Sequence, residues 1–259
     1  DYWPQKTGGA KSRSGVVSGL VIERHSSPNF DTRACAISQI ILHYTDMTDC
    51  DAALARLCDA AAKVSAHYLI RRDGHIFHLV DEAARAWHAG VSYWRGEADI
   101  NSASIGIELD HDGHKDGKMD AFPEVQMAAL ITLLQEVTAQ YAIAPQNILG
   151  HSDIAPGRKI DPGEAFDWAA LHKAGFGLWV DNVKTEDVPP LATGSEDKAV
   201  APLQKALAAI GYQITADGCY GPQTQVVISA FQRHFRPAKI DGIADAETQT
   251  LVYALCRLV

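Results

Sequence analysis

His151 and Asp161 sit in the stretch Gly150 to Gly163, GHSDIAPGRKIDPG, together with a second carboxylate at Asp153 and the ammonium of Lys159. An imidazole nitrogen and a carboxylate oxygen are both ligands that Zn²⁺ accepts, and the Pro156-Gly157 turn folds the chain so that the two can face one point. A third ligand has to come from elsewhere. His43 ends the apolar run Ile40-Ile41-Leu42, which places it at the tip of a buried strand, where a sheet holds it rigid. Two His and one Asp leave the fourth position of a tetrahedral zinc open, the arrangement of a catalytic rather than a structural metal.

Two further groups fit chemistry beside such a metal. Lys159 stands two residues before Asp161, so in an extended loop both side chains fall on one side, and an ammonium there can stabilise an oxyanion. The segment Ser104-Ile105-Gly106-Ile107-Glu108-Leu109 alternates strictly, with Ile105, Ile107 and Leu109 on one face and Gly106 and Glu108 on the other. Glu108 thus shares its face with the smallest side chain available, which suits a carboxylate reaching into a pocket beside close-packed backbone. The competing readings are a Glu exposed on an edge strand and a solvated surface Lys. In Ala86-Trp87-His88-Ala89-Gly90 the small neighbours of His88 let a ligand approach closely, making it a candidate for a substrate groove. Among the other histidines, His67, His75 and His78 fall on a hairpin and read as hydrogen-bonded structural residues. His25, His111, His114, His172 and His234 lie in loops or on helix faces without evident partners.

The elements that must position these groups are strands alternating with helices, which gives an α/β architecture. Val16 to Ile22 and Ile37 to Tyr44 are apolar runs expected as strands, the second delivering His43. Thr48 with Asp51 resembles a capping box, and Leu54, Leu57 and Ala61 predict a helix over Asp51 to Ala62. His67 to Arg71 and His75 to Val80 form a hairpin about Asp73-Gly74, so the central sheet is mixed and flanked by helices. Pro123 opens a long helix whose stripe of Met127, Leu130, Leu134, Val137 and Tyr141 is core packing. Ile148-Leu149 is a short strand leading into the loop that begins at His151.

With 259 residues, 47% of them apolar, the chain can bury a full core and is expected to hold two domains. Residues 1–15 read as a polar tail, 16–180 as the α/β domain, 181–194 with Pro189-Pro190 as a linker, and 195–259 as a small three-helix bundle. In the bundle Ser195 is expected to cap a helix bearing Val200, Leu203, Leu207 and Ile210. Pro222 opens a second with Val227, Phe231 and His234, and Leu251, Leu255 and Leu258 mark a third. Asp217-Gly218 with Thr224 repeats as Asp241-Gly242 with Thr248. The bundle carries no catalytic cluster and reads as a binding module.

A net charge of −9 without clustered Lys and Arg argues against a nucleic-acid partner, and the apolar runs are too short for a transmembrane segment. Starting at Asp1 rather than Met, the sequence implies a removed signal or a trimmed chain. Five cysteines (Cys35, Cys50, Cys58, Cys219, Cys256) are an odd number without metal-type spacing and read mostly as buried small apolar residues. Cys219 and Cys256 are able to pair if the C-terminal domain brings them together.

Five ordered motifs resemble the type-2 zinc N-acetylmuramoyl-L-alanine amidases, relatives of the peptidoglycan recognition proteins and of phage amidase lysozymes. They are Ile41-Leu42-His43-Tyr44-Thr45, Ser65-Ala66-His67-Tyr68-Leu69, Ala86-Trp87-His88-Ala89-Gly90, Ser104-Ile105-Gly106-Ile107-Glu108, and Gly150-His151 to Lys159-Ile160-Asp161-Pro162-Gly163. Within that family the chain looks most like the Gram-negative envelope amidase with a C-terminal peptidoglycan-binding module, because Asp217-Gly218-Cys219-Tyr220-Gly221-Pro222 and Ala230-Phe231-Gln232 resemble the three-helix peptidoglycan-binding fold. The resemblance implies zinc on His43, His151 and Asp161, Glu108 as acid/base, Lys159 as oxyanion partner, and Trp87 and His88 near substrate. It implies hydrolysis of the amide between N-acetylmuramic acid and L-alanine in peptidoglycan or muropeptides, for cell-wall turnover or recycling. The enzyme would be a monomer, periplasmic or outer-membrane-associated. Some relatives carry Cys in place of Asp161, and members that lost a ligand bind without cleaving. No ligand is missing here, and the alternative reading is a non-catalytic peptidoglycan receptor whose metal only organises a binding groove, against which the intact ligands, Glu108 and Lys159 argue.

Overall fold

The computed structural model describes residues 22–181 and 183–259. The polar tail, and all but the last residue of the strand expected at Val16 to Ile22, lie outside them. The sheet is organised around β3 (Gln39–Tyr44) and β7 (Ser104–Leu109), which pair in parallel from Gln39 opposite Ser104 to Tyr44 opposite Leu109. Every residue of β3 is buried, as a strand covered on both faces requires. β10 (Ile148–Gly150) lies parallel to β3 on one side. On the other, β4 (Tyr68–Ile70) runs parallel to β7 and antiparallel to β5 (Ile76–His78), and β1 (Ile22–Arg24) lies parallel to β5. The order β1-β5-β4-β7-β3-β10 is the expected mixed sheet. Gly74, at φ +85°, makes the hairpin turn that an L side chain resists.

The pleat separates two faces. Ile40, Leu42, Ile105, Ile107, Leu109 and Ile148 pack against α3 (Glu124–Tyr141), which Pro123 precedes and which buries Met127, Leu130, Leu134 and Val137. Ile41 and Leu149 point the other way, into one continuous cluster with the C-terminal bundle of α6 (Val200–Ile210), α7 (Pro222–Phe235) and α8 (Ala246–Cys256). Smaller elements complete the chain. β2 (Phe30–Thr32) pairs with β6 (Ala84–Ala86), β8 (His114–Lys115) pairs with β9 (Lys118–Met119), and α2 (Ile100–Ala103) and α5 (Trp168–Lys173) are short.

Several local expectations are corrected. The first helix is α1 (Cys50–Leu57), capped by Asp49 rather than Thr48 and ending well before Ala62. The Asp59 side chain accepts from the Ala61 amide there, a local turn that competes with helical hydrogen bonding. His151 opens a single helical turn, α4 (His151–Ile154), where a loop was expected. Ser195 lies before α6 and accepts from the Ala192 amide instead of capping the helix, and Leu258 lies beyond α8, exposed. All five cysteines are free, and only Cys50 is buried. Cys219 falls in an exposed turn closed by Asp217, and Cys256 ends α8 half-buried.

The sequence repeat has a physical basis. Gln204 donates through Nε2 to Asp217 Oδ1, the Cys219 carbonyl and Thr224 Oγ1, and accepts from the Gly218 amide. Gln232 does the same with Asp241, the Ile243 carbonyl and Thr248, and accepts from the Gly242 amide. Each buried amide thus ties a helix to the Asp-Gly turn that follows it.

Candidate active site

His43, at the end of β3, pairs in register with Glu108 of β7, so the two leave the sheet side by side on one face. β10 ends at Gly150, and α4 starts with His151. Asp161 returns beside it, its carbonyl accepting from the Ser152 amide. A Cβ on Gly150 would lie 2.7 Å from Pro162 Cδ, so glycine is needed where the two segments meet. His43 Nδ1, His151 Nδ1 and Asp161 Oδ2 then form a triangle with edges of 3.0, 2.9 and 3.0 Å.

That triangle fits a metal better than it fits hydrogen bonds. Protons on both nitrogens could serve the two edges to Asp161, but would then face each other across the third. A cation satisfies all three atoms, and ligands about 2.0–2.1 Å from a tetrahedral Zn²⁺ stand only slightly further apart than these. All three residues are buried. Burial alone would raise the Asp161 carboxyl, yet hydrogen bonds from His151 and His43 hold it far below the usual carboxylate range. Burial, and then the neighbouring His151, lower His43 to about 4.

The second nitrogen of each imidazole is also held. His151 Nε2 lies 3.0 Å from the Ala89 carbonyl, and Arg158 donates to the carbonyls of Ala89 and Val91, fixing that wall. His43 Nε2 lies 3.0 Å from His88 Nδ1, and His88 Nε2 lies 3.3 Å from Ser104 Oγ, which donates to the Ile100 carbonyl. Such outer partners set the orientation and basicity of a metal ligand. The His88 ring lies over Gly106, where a Cβ would come within 2.6 Å of its Cδ2. We therefore expect Gly106→Ala to push His88 off His43 and weaken zinc binding by about 10- to 100-fold. Chelator competition measures this, and unchanged affinity would mean that His88 does not orient the ligand.

A cavity of about 490 Å³ opens over the triangle, lined among others by His43, His88, Glu108, His151, Lys159 and Asp161. Glu108 Oε2 is shielded from solvent and has no hydrogen-bond partner among the described residues. Burial, with Asp161 adding to it and Lys159 opposing, holds its carboxyl well above the ordinary value. Trp87 is outside that lining, its indole donating to Asp31 at 3.2 Å.

Behind the site, His67 accepts from the Gly106 amide. Burial and the nearby Arg33 lower it to about 3, so it stays neutral in the fold. The unfolded chain takes up that proton below about pH 6.5, so stability falls as pH drops from about 6.5 towards 3, by up to about 1.4 kcal/mol per pH unit for this group. Urea unfolding of wild type and His67→Gln at pH 7, 6 and 5 should show a shallower slope in the variant; parallel slopes would exclude His67 as a source. His75 contacts Glu23 and His78 lies near Arg24. Of the histidines expected to lack partners, His114 contacts Glu164, and His234 is buried against Asp153.

A buried two-His, one-Asp cluster beside an unpartnered carboxylate and a lysine, at the ends of parallel strands, is the centre of a single-metal hydrolase. Known proteins agree. The family described as N-acetylmuramoyl-L-alanine amidase matches residues 33–164, and the one described as "Putative peptidoglycan binding domain" matches residues 196–251. N-acetylmuramoyl-L-alanine amidase AmiD of Escherichia coli (strain K12) is 40% identical over 230 residues, 85% of this chain and 82% of the relative. The structure of E. coli AmiD with the substrate anhydro-N-acetylmuramic acid-L-Ala-D-gamma-Glu-L-Lys superposes with a TM-score of 0.73 at 37% identity, covering 88% of this chain and 92% of that one. AmpDh3 from Pseudomonas aeruginosa, in complex with anhydromuramic pentapeptide, gives 0.72 at 33% identity over 86% and 92% of the two chains. The chain belongs to the N-acetylmuramoyl-L-alanine amidase family. It is a zinc-dependent hydrolase of the amide between N-acetylmuramic acid and L-alanine in peptidoglycan or muropeptides.

Sequence reasoning passed over three kinds of residue here. Arg158 stands next to Lys159, but its carbonyl partners at Ala89 and Val91 are far away in sequence. Gly106 was read only as the small neighbour of Glu108. Asp153, Tyr212 and His234 come together only in three dimensions.

Proposed function

We propose that the residues divide the hydrolysis as follows. His43, His151 and Asp161 would hold Zn²⁺, which supplies the Lewis acidity that acidifies water and polarises the scissile carbonyl. Glu108 takes the proton of the attacking water and returns it to the departing amine of L-alanine. Its unpartnered Oε2, on the strand position paired with His43, is the observation that carries this reading. Lys159, on the cavity wall and without an ion-pair partner among the described residues, donates to the developing oxyanion. His88 orients His43 from behind, while Trp87 supports the rim through Asp31. Arg56, exposed on the same wall, offers a cation to an acidic stem peptide.

Peptidoglycan is an envelope polymer, so the cell envelope is the place of action, and we assign the enzyme to the periplasm or the outer membrane. Among the described residues no helix is long and apolar enough to cross a membrane. We divide the chain into a catalytic domain at 16–180, a linker at 181–194 and a peptidoglycan-binding-like bundle at 195–259; the two family matches fall inside the outer units. The test is release of stem peptide from muropeptide by wild type and Lys159→Ala, with zinc content measured alongside. Wild type should release peptide, and the variant should keep its zinc while losing about 10²- to 10³-fold in kcat. Full activity in the variant would remove Lys159 from the mechanism, and no release by zinc-loaded wild type would favour a receptor.

A further inference from the structure

The turn that presents His151 is gripped by the other domain. Asp153, in the same turn, is 1% exposed. Its Oδ2 accepts from the Gly150 amide at 2.8 Å and from His234 Nδ1 at 2.7 Å, and its Oδ1 accepts from the Tyr212 hydroxyl at 2.9 Å. His234 and Tyr212 both belong to the C-terminal bundle. His234 is also buried, stacked on Trp168 of α5 with ring centroids 3.7 Å apart and on Phe235 at 3.9 Å. Tyr212 meets Trp94 of the catalytic domain edge-on at 5.0 Å, and the same indole covers Gly211 so closely that a Cβ there would lie 2.7 Å from Trp94 Cζ2.

A side chain this deeply buried depends on its three partners, because removing one leaves a polar oxygen without a hydrogen bond and out of reach of water. Asp153 in turn holds the Gly150 amide, the residue that joins β10 to the ligand. Tethering to the cell wall needs none of this, since a flexible attachment already raises local concentration.

We propose that the C-terminal bundle is part of the metal centre: Tyr212 and His234, acting through Asp153, are positioning residues for the ligand His151. The inference rests on the zinc reading above. Its test uses full-length protein, with zinc affinity measured by chelator competition and ligand geometry read from the visible spectrum of the Co²⁺-substituted form. Tyr212→Phe removes a single hydroxyl, and His234→Leu removes the ring nitrogen that contacts Asp153. Both are expected to bind zinc about 10- to 100-fold more weakly and to shift the cobalt bands, with His234→Gln restoring part of the loss through its amide donor. Gln232→Ala serves as the comparison. It breaks a buried network in the same bundle that does not include Asp153, so it should lower Tm and leave zinc affinity unchanged. Wild-type affinity and cobalt spectrum in folded Tyr212→Phe would overturn the proposal, as would a Gln232→Ala effect on zinc equal to that of Tyr212→Phe. A wild type that binds no zinc would instead overturn the metal reading on which the proposal stands.

Discussion

Glu108→Gln is expected to retain its zinc and lose about 10²- to 10⁴-fold in kcat, the range over which a positioned acid/base acts. The substitution keeps the shape of a side chain whose place is set by the pairing of β7 with β3, and it adds no bulk against Gly106. It removes only the ability to take up a proton and give it back. The ligand triangle does not include Glu108, so metal content measured by mass spectrometry should match wild type. Substrate binding should change little, leaving the loss in kcat rather than KM. Near-wild-type turnover with zinc in place would show that another group moves the proton.

Asp161→Ala should lose zinc and activity together. Asp161 Oδ2 stands at 2.9 and 3.0 Å from the two imidazole nitrogens and is the only anion of the ligand set. Without it, a divalent cation would have to be held by two neutral rings in a buried site, where charge is not solvated. Peptide release should fall to background even in excess Zn²⁺, while circular dichroism remains close to wild type because the sheet and α3 do not depend on this side chain. Retention of one tightly bound zinc by the variant would place the metal elsewhere.

The placement of the candidate residues on their strands was legible because strand periodicity is local. The alternation from Ser104 to Leu109 put Glu108 and Gly106 on one face, and the apolar run before His43 marked a strand end, as the structure has them. The side-by-side register of His43 and Glu108 was not legible, since parallel pairing joins strands far apart in sequence and leaves no short-range signal. The loop expected after Gly150 is a helical turn because its start is a glycine, with Asp153 reaching back to the Gly150 amide, a cap that sequence patterns built on Ser or Thr overlook. His234 read as an ordinary helix residue because both of its main partners, Asp153 and Trp168, belong to the other domain. The bundle repeat showed its Asp, Gly and Thr positions in the sequence. It did not show the glutamines that make those positions necessary.

The most direct test of the account is zinc K-edge X-ray absorption on active, full-length wild type. We expect one zinc per chain in a shell of nitrogen and oxygen only, with the multiple-scattering signature of two imidazoles and bonds of about 2.0–2.1 Å. Among the described residues the one cluster able to hold a metal contains no cysteine, so a sulfur shell is an outcome this site excludes. Sulfur at about 2.3 Å, or an active enzyme without zinc, would contradict the assignment of His43, His151 and Asp161 as the metal centre.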